Sequence, residues 1–284
     1  MSLSVVSGQK KTIIILSISS DIGLYMAKEY LAQGHRVIGT YRTKKHISPL
    51  INVKNCQLFD CDFSKPTSVK KFCQSMKKQK ITWDTFVSCV GYLLPAQPFF
   101  ECNADDWIGN IHINALEQLR VLHSLYPLRN KKAISDVVFF AGGGANNAVV
   151  DITAYAISKI ILTKMTEYLD AENADLNVFI VGPGWTKTKI HKQVLGARKV
   201  ALKKFNETQD FMTNKQGTSL EEIFECIEWL RSEGRSLSGG RNFSVVYDPW
   251  RMKTRSQLVK ALKADDGMYK LRRHGNSFLQ NIKS

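Results

Sequence analysis

The chain has 284 residues, 44% hydrophobic and 23% charged, the composition of a globular protein long enough for one substantial α/β core. Its longest apolar runs, around Ile13–Leu16 and Val137–Ala141, are strand-sized and far below the ~18 residues needed to span a bilayer. The start, MSLSVVSGQKK, lacks the long apolar centre of a secretory signal, so the expected compartment is the cytoplasm. A formal charge of +15 favours anionic partners, whether nucleic acid, an anionic membrane surface or phosphorylated small molecules, or else describes a merely basic, solvated surface.

In chain order, Lys11–Leu16 reads as a buried strand and is followed by the turn Ser17-Ile18-Ser19-Ser20-Asp21-Ile22-Gly23. The amphipathic segment LYMAKEYLAQG then closes on Gly34, and His35–Tyr41 forms a second strand. Such a β-α-β unit of about thirty residues builds dinucleotide-binding sheets, with backbone N–H groups and a helix N-terminus turned toward a pyrophosphate. Ser17 and Asp21 stand where two glycines are usual, and Gly23 is kept. A carboxylate there repels a pyrophosphate unless Asp21 turns away to cap the helix. After the second strand the run Thr40-Tyr41-Arg42-Thr43-Lys44-Lys45 carries no acid, which suits a 2′-phosphate and favours NADP over NAD.

Cys56–Cys61 reads as a third strand ending at Asp62-Phe63, Ser64–Lys80 as a basic helix, and Thr85–Val90 as a fourth strand stopped by Gly91. A helix is expected from about Asn103 to Tyr126, with the polar Asn114 in its middle, either exposed, holding a water or kinking the helix. Next come the strand around Val137, the glycine-rich bend Ala141-Gly142-Gly143-Gly144-Ala145, a helix bearing Tyr155 and Lys159, and a strand ending in Pro183-Gly184. Residues 186–217 are polar, basic and weakly periodic, and a long excursion of this kind is expected to be a substrate lid. Thr218-Ser219-Leu220-Glu221 fits a capping box, opening a helix to about Glu233, and the last strand is expected over Asn242–Tyr247. Residues 1–250 are thus expected to form one domain and 251–284 a basic extension with one amphipathic helix between Gln257 and Leu262. The six cysteines form no C-x-x-C pair and the six histidines no H-E-x-x-H pattern, so neither metal nor disulfide is expected.

Tyr155 and Lys159, four residues apart, share one helix face. An ammonium beside a phenol favours the phenolate, which is expected to lower the tyrosine pKa from ~10 and let it exchange a proton with a carbonyl or alcohol oxygen. The order and spacing of the S-x-S-S-D-I-G turn, Asp62, Ser88-Cys89-Val90-Gly91, Asn114, Tyr155-x-x-x-Lys159 and Pro183-Gly184-x-x-x-Thr188 resemble the short-chain dehydrogenase/reductase family from about Lys11 to Tyr247. The SSDIG turn, the AGGGA bend and the Asp248-Pro249-Trp250 ending are similar, more narrowly, to members found with bacterial surface-polysaccharide genes.

That resemblance implies a Rossmann-like, doubly wound parallel sheet of about seven strands in a single domain, usually a dimer or tetramer. It implies Tyr155 as general acid/base, Lys159 lowering its pKa and holding the nicotinamide ribose, and Asn114 anchoring a relay water. The cofactor, NADP, would meet Ser17, Ser19, Ser20, Asp21, Ile22 and Gly23 at the turn, and Tyr41, Arg42 and Thr43 at the 2′-phosphate. Asp62 and Phe63 would flank the adenine, Cys89, Val90 and Gly91 a ribose, and Pro183, Gly184, Thr186 and Thr188 the nicotinamide. The serine that family members carry about a dozen residues before the tyrosine is absent, with Ala141 and Gly142 in its place. Losing a positioned donor of that kind costs ~10²–10³ in rate.

Three readings of function follow. One is an NADPH-dependent oxidoreductase interconverting a ketone and an alcohol on an anionic small molecule, such as a phosphorylated or nucleotide-linked sugar held by Lys187, Lys189, Lys192, Arg198 and Lys199. Another is a catalytically impaired dinucleotide-binding protein acting as sensor or partner subunit. The third is nucleic-acid binding through the basic surface, for which the chain offers no recognised motif and no aromatic interleaving, so no specific nucleic-acid partner is expected.

Overall fold

The computed structural model describes residues 9–197 and 199–273; Arg198 and the ends of the chain, 1–8 and 274–284, lie outside the described residues. The first unit runs β1 (Thr12–Leu16), α1 (Asp21–Ala32), β2 (Arg36–Tyr41). Alpha-helix α1 ends where Gly34, at φ +80°, and His35 donate back to the carbonyls of Leu31 and Tyr30, satisfying two of the helix's last carbonyls. Then come β3 (Cys56–Asp60), α2 (Pro66–Lys78) and β4 (Thr85–Ser88). The helix expected over 103–126 is broken into α3 (Ala104–Ile111), a π-helical turn (His112–Leu116) and α4 (Glu117–Leu125), with Asn114 inside the widened turn.

The chain continues through β5 (Ser135–Phe140), α5 (Thr153–Glu172) and β6 (Leu176–Gly182). The segment expected as an irregular lid contains two helices, α6 (Lys189–Leu195) and α7 (Leu202–Asn214). After it come α8 (Leu220–Glu233), α9 (Arg235–Ser238), β7 (Asn242–Ser244) and α10 (Arg255–Ala264). Beta-strand β7 is thus shorter than expected. The capping box of α8 sits one residue later than its sequence pattern suggested: Ser219 accepts from the N–H of Glu222, whose carboxylate accepts from the N–H of Ser219.

All seven strands are parallel, in the order β3-β2-β1-β4-β5-β6-β7. Both faces of the central strands are buried, which is why they read as unbroken apolar runs rather than alternating ones. Side chains alternate across β1: Ile13 and Ile15 pack with Met26 of α1, Ile223 of α8 and Leu258 of α10, while Ile14 and Leu16 pack with Val69 of α2, Val121 of α4 and Leu162 of α5. Each fully buried isoleucine contributes ~1.5–3 kcal/mol.

The segment after Trp250 packs on the same core. Leu258 and Leu262 of α10 are buried in it. Arg241, 3% exposed, donates to the carbonyls of Leu237, Leu262 and Asp265 and so ties α10 to the end of α9. Strand order reverses between β1 and β4, and in sheets of this kind ligands bind at the carboxyl ends of the strands beside that point.

Candidate active site

A cleft of about 2050 Å³ runs along those carboxyl ends. At its floor is the turn after β1. Ser17 adopts φ +53°, the left-handed conformation that a glycine usually supplies, and its N–H donates to Thr40 Oγ1 at 2.9 Å. Ser20, and not Asp21, caps α1 by accepting from the N–H of Gly23 at 3.0 Å. Gly23 backs the turn without lining the cleft; a Cβ on it would stand 2.7 Å from the Ser17 carbonyl oxygen. Asp21 does turn away, but toward α6: its carboxylate accepts from the N–H of Lys189 at 2.6 Å. Ser19, Ser20, Asp21 and Ile22 all line the cleft.

Beyond the turn, Arg42 and Thr43 are exposed at the cleft's edge, whereas Tyr41 packs against the core and does not line it. Asp62, just after the neighbouring strand β3, also lines the cleft and accepts from the N–H and hydroxyl of Ser64 at 3.0 and 2.8 Å. Phe63 is buried beside it and also reaches the cleft. Cys89, Val90 and Gly91 form the wall after β4. Burial pushes the Cys89 thiol up to about 12, so it is an inert, protonated side chain.

Tyr155 and Lys159 stand on α5 where it passes under the glycine-rich bend. The Lys159 ammonium lies 5.5 Å from the Tyr155 ring centre and 3.4 Å from the Val90 carbonyl oxygen. Their electrostatics run opposite to the sequence expectation. Burial pushes the half-buried Tyr155 phenol up to about 12 and pulls the Lys159 ammonium down to about 8. The loss of water around both groups outweighs their attraction at this separation.

Asn114 is wholly buried and does not line the cleft. Its amide oxygen accepts from the N–H of Tyr92 at 2.8 Å, and its amide nitrogen donates to the carbonyls of Tyr92 and the Asn110 side chain at 2.6 and 2.7 Å. Asn110 in turn donates to the carbonyls of Tyr92 and Leu94, while Gln118 donates to the Asn114 backbone carbonyl and accepts from Ser88. Of three carboxamides at positions 110, 114 and 118, the first two thus anchor the loop after β4 and the third holds the end of β4 at Ser88. Their i, i+4, i+8 spacing was a readable signal for an inward-facing polar stripe.

At the other end of the cleft, Pro183 and Gly184 leave β6. Gly184 has φ +72°, and a Cβ there would meet Val246 Cγ2 at 2.5 Å. Thr186 and Thr188 also face the cleft; the Thr186 hydroxyl is buried without a hydrogen-bond partner. Next to them is an aromatic cluster the sequence reading missed. Trp185, 44% exposed, stacks on His191 with ring centres 5.3 Å apart, and Phe211 closes on both. Lys204, 8% exposed, holds its ammonium 5.1 Å from the Trp185 ring centre and 3.4 Å from Glu207. A tryptophan following Pro-Gly was visible in the sequence; the burial of Lys204 was not, because the segment carrying it is only weakly periodic and gives no buried face.

The residues of the cleft fit a dinucleotide. The turn is too close-packed for side chains at Gly23, the N-terminus of α1 opens toward it, and the far rim at Arg42 is cationic. A seven-stranded parallel sheet with this turn and a Tyr-Lys pair under the bend defines a dinucleotide-dependent oxidoreductase of the Rossmann type. A family profile described as enoyl-(acyl carrier protein) reductase matches residues 18–246, and the chain belongs to the short-chain dehydrogenase/reductase family of NAD(P)-dependent oxidoreductases.

An NADPH-dependent pterin aldehyde reductase from Arabidopsis thaliana is 22% identical over 66% of this chain and 79% of its own. A benzil reductase, (S)-benzoin forming, from Bacillus cereus is 22% identical over 72% and 86%. Among solved structures, a short-chain dehydrogenase/reductase from Saccharomyces cerevisiae superposes with TM-score 0.73 at 20% identity, over 84% of this chain and 97% of that one. A short-chain dehydrogenase from Shigella flexneri in complex with NADP gives 0.69 at 21% over 83% and 96%, and 4-hydroxyisoleucine dehydrogenase in complex with NADH gives 0.69 at 18% over the same shares. Among the described residues no helix is long and apolar enough to cross a membrane, and no group of three or more His, Cys, Asp or Glu could hold a metal ion.

Proposed function

We propose that the protein is an NADPH-dependent reductase that converts a carbonyl on a ring-bearing, anionic small molecule to an alcohol. The observation that carries this reading is Tyr155: a phenol kept protonated up to about pH 12 yet lining the cleft is suited to give a proton to a carbonyl oxygen. NADPH, when bound, supplies the hydride. Lys159 would hold its ribose from the buried side, Asn114 would fix the loop after β4 along its flank, and Arg42 would face its 2′-phosphate, which favours NADPH over NADH. Trp185 offers the flat face and Lys204 the cation that a ring carrying a phosphate or carboxylate needs. The relatives named for a pterin aldehyde and for benzil, both carbonyl compounds with aromatic rings, support the ring; the phosphorylated or nucleotide-linked sugar expected from the sequence supports the anion. Exposed Ile108, Leu116 and Ile157 on α3, the π turn and α5 support self-association as a homodimer or homotetramer.

The test is NADPH oxidation followed against a panel of aromatic and phosphorylated carbonyl compounds. Turnover should fall ~10²–10⁴-fold in Tyr155→Phe. Unchanged turnover in that variant would defeat the reading. A chain that binds NADPH but reduces nothing in the panel would favour a dinucleotide-binding sensor or partner subunit, the reading that the missing hydroxyl at Ala141 and the serine in place of a turn glycine at Ser17 motivate.

A further inference from the structure

The expected lid is hydrogen-bonded to the phosphate turn by Lys189. Its backbone N–H donates to Asp21 Oδ2 at 2.6 Å, and its ammonium donates to the Ser19 carbonyl at 2.8 Å and lies 3.4 Å from Asp21 Oδ1. Both side chains remain about one-third exposed and both line the cleft. Alpha-helix α6, which Lys189 opens, is fastened farther along as well: Gln193 accepts from the N–H of Leu93 at 2.9 Å, and Val194 is buried with Leu93 and Ala96. Between these points Ile190 lies against Gly91, where a Cβ would come within 3.1 Å of it. The helix therefore bridges the turn after β1 and the loop after β4.

This arrangement resolves the charge problem at Asp21. A bare carboxylate in the first turn of α1 opposes an anion at the helix N-terminus. Here the carboxylate faces Lys189 instead. An ammonium has three donors; the Ser19 carbonyl takes one, the Asp21 carboxylate lies within reach of a second, and the group still borders the cleft.

We infer that Lys189 is a pyrophosphate-binding residue delivered by the lid and that Asp21 is the positioning residue that holds it there. The inference rests on the dinucleotide reading of the cleft. It assigns Lys189 to the cofactor rather than to the substrate, and it makes the docked position of α6 part of the cofactor site. A turn poor in glycine thus gains a cation from elsewhere in the chain.

The experiment is a fluorescence titration of the full chain with NADPH, comparing the wild type with Asp21→Asn, Lys189→Met, Lys189→Arg and the Asp21→Asn/Lys189→Met double variant. Removing one charge-assisted contact should raise the NADPH Kd about tenfold in Lys189→Met, with partial recovery in Lys189→Arg. The sign at Asp21 is decisive. Simple repulsion expects Asp21→Asn to tighten NADPH, because a negative charge leaves the neighbourhood of a pyrophosphate. A holding role expects it to weaken NADPH about threefold while Lys189 is present and to tighten it once Lys189 is methionine, a coupling that the double variant reads directly. Tighter binding in Asp21→Asn alone, or a Kd within twofold of wild type in Lys189→Met, overturns the inference while leaving the cofactor reading intact. A wild-type chain that binds no NADPH overturns both.

Discussion

Gly142 stands directly against Tyr155. A Cβ at position 142 would lie 2.7 Å from Tyr155 Cε1, 3.1 Å from the phenol oxygen and 3.0 Å from Lys159 Cγ. Real Cβ atoms essentially never stand 2.7 Å from another heavy atom, so a hydroxyl-bearing residue at 142 requires the Tyr155 ring to shift. Gly142→Ser should therefore lower turnover, by ~10²-fold if the phenol moves by an ångström, and should cost ~1–3 kcal/mol of stability through overpacking. Steady-state kinetics and a urea melt of the same variant check both. A rise in turnover would mean that Tyr155 yields and that the native chain is limited by the missing hydroxyl.

The buried Lys159 predicts a pH dependence of stability. Its folded pKa is about 8, against 10.5 for the free group, because burial disfavours the charged form. Between those values the unfolded chain binds more protons than the folded one, so the penalty is fully present below pH 8 and lifts as pH rises. Tyr155 shifts upward instead, to about 12 from 10.0, so its own contribution holds below pH 10 and is lost only above it. From pH 8 to 10 the wild type should therefore gain ~2–3 kcal/mol relative to Lys159→Met, at ~1.4 kcal/mol per unit. Urea melts of the two cofactor-free proteins across that range measure the difference. A constant gap would show that Lys159 is not desolvated in the folded chain.

The first β-α-β unit was legible because it depends on local features: the short apolar run TIIIL, a turn of small residues after it, and a glycine in the left-handed region at position 34. The order of the strands was not, because it is set by which strands pair across the sheet rather than by any one segment. Tyr155 and Lys159 were legible because their spacing carries a meaning on a helix. What that pair does with its protons was not, since spacing says a cation is near but not how little water surrounds it. A kink at Asn114 was one of the outcomes its polarity suggested, but the π turn itself was not legible, because the backbone partners of Asn110 and Asn114 lie in the loop after β4. Asp21 posed a question that its own neighbourhood could not answer, because its partner lies 168 residues away.

Arg231 predicts a change that separates stability from the site. Its guanidinium, 7% exposed, donates to Asp136 at 2.9 Å, Glu228 at 2.7 Å and Thr85 at 3.0 Å, and Asp136 also accepts from Asn177 at 2.9 Å. Thr85 and Asp136 lie where β4 and β5 begin, at the end of the sheet opposite the cleft. Arg231→Met leaves the Asp136 carboxylate buried without its cation, and should cost ~3–5 kcal/mol. The NADPH Kd, measured below the melting temperature, should stay within twofold. A large loss of NADPH affinity would mean that the sheet transmits this change to its far end.

Arg42 predicts the cofactor preference. It is exposed, lines the cleft and has no ion-pair partner among the described residues, and Lys44 and Lys45 follow it in the chain. A guanidinium free of internal partners can take a phosphate by two parallel N–H donors, which a ribose hydroxyl does not reward equally. Arg42→Ala should therefore weaken NADPH about tenfold and leave NADH within about twofold, narrowing the ratio between them. Paired titrations with the two dinucleotides at fixed salt give that ratio directly. Equal weakening of both would mean that Arg42 acts as a diffuse positive charge at the rim, and the recognition of a 2′-phosphate would then have to be sought at Lys44 and Lys45.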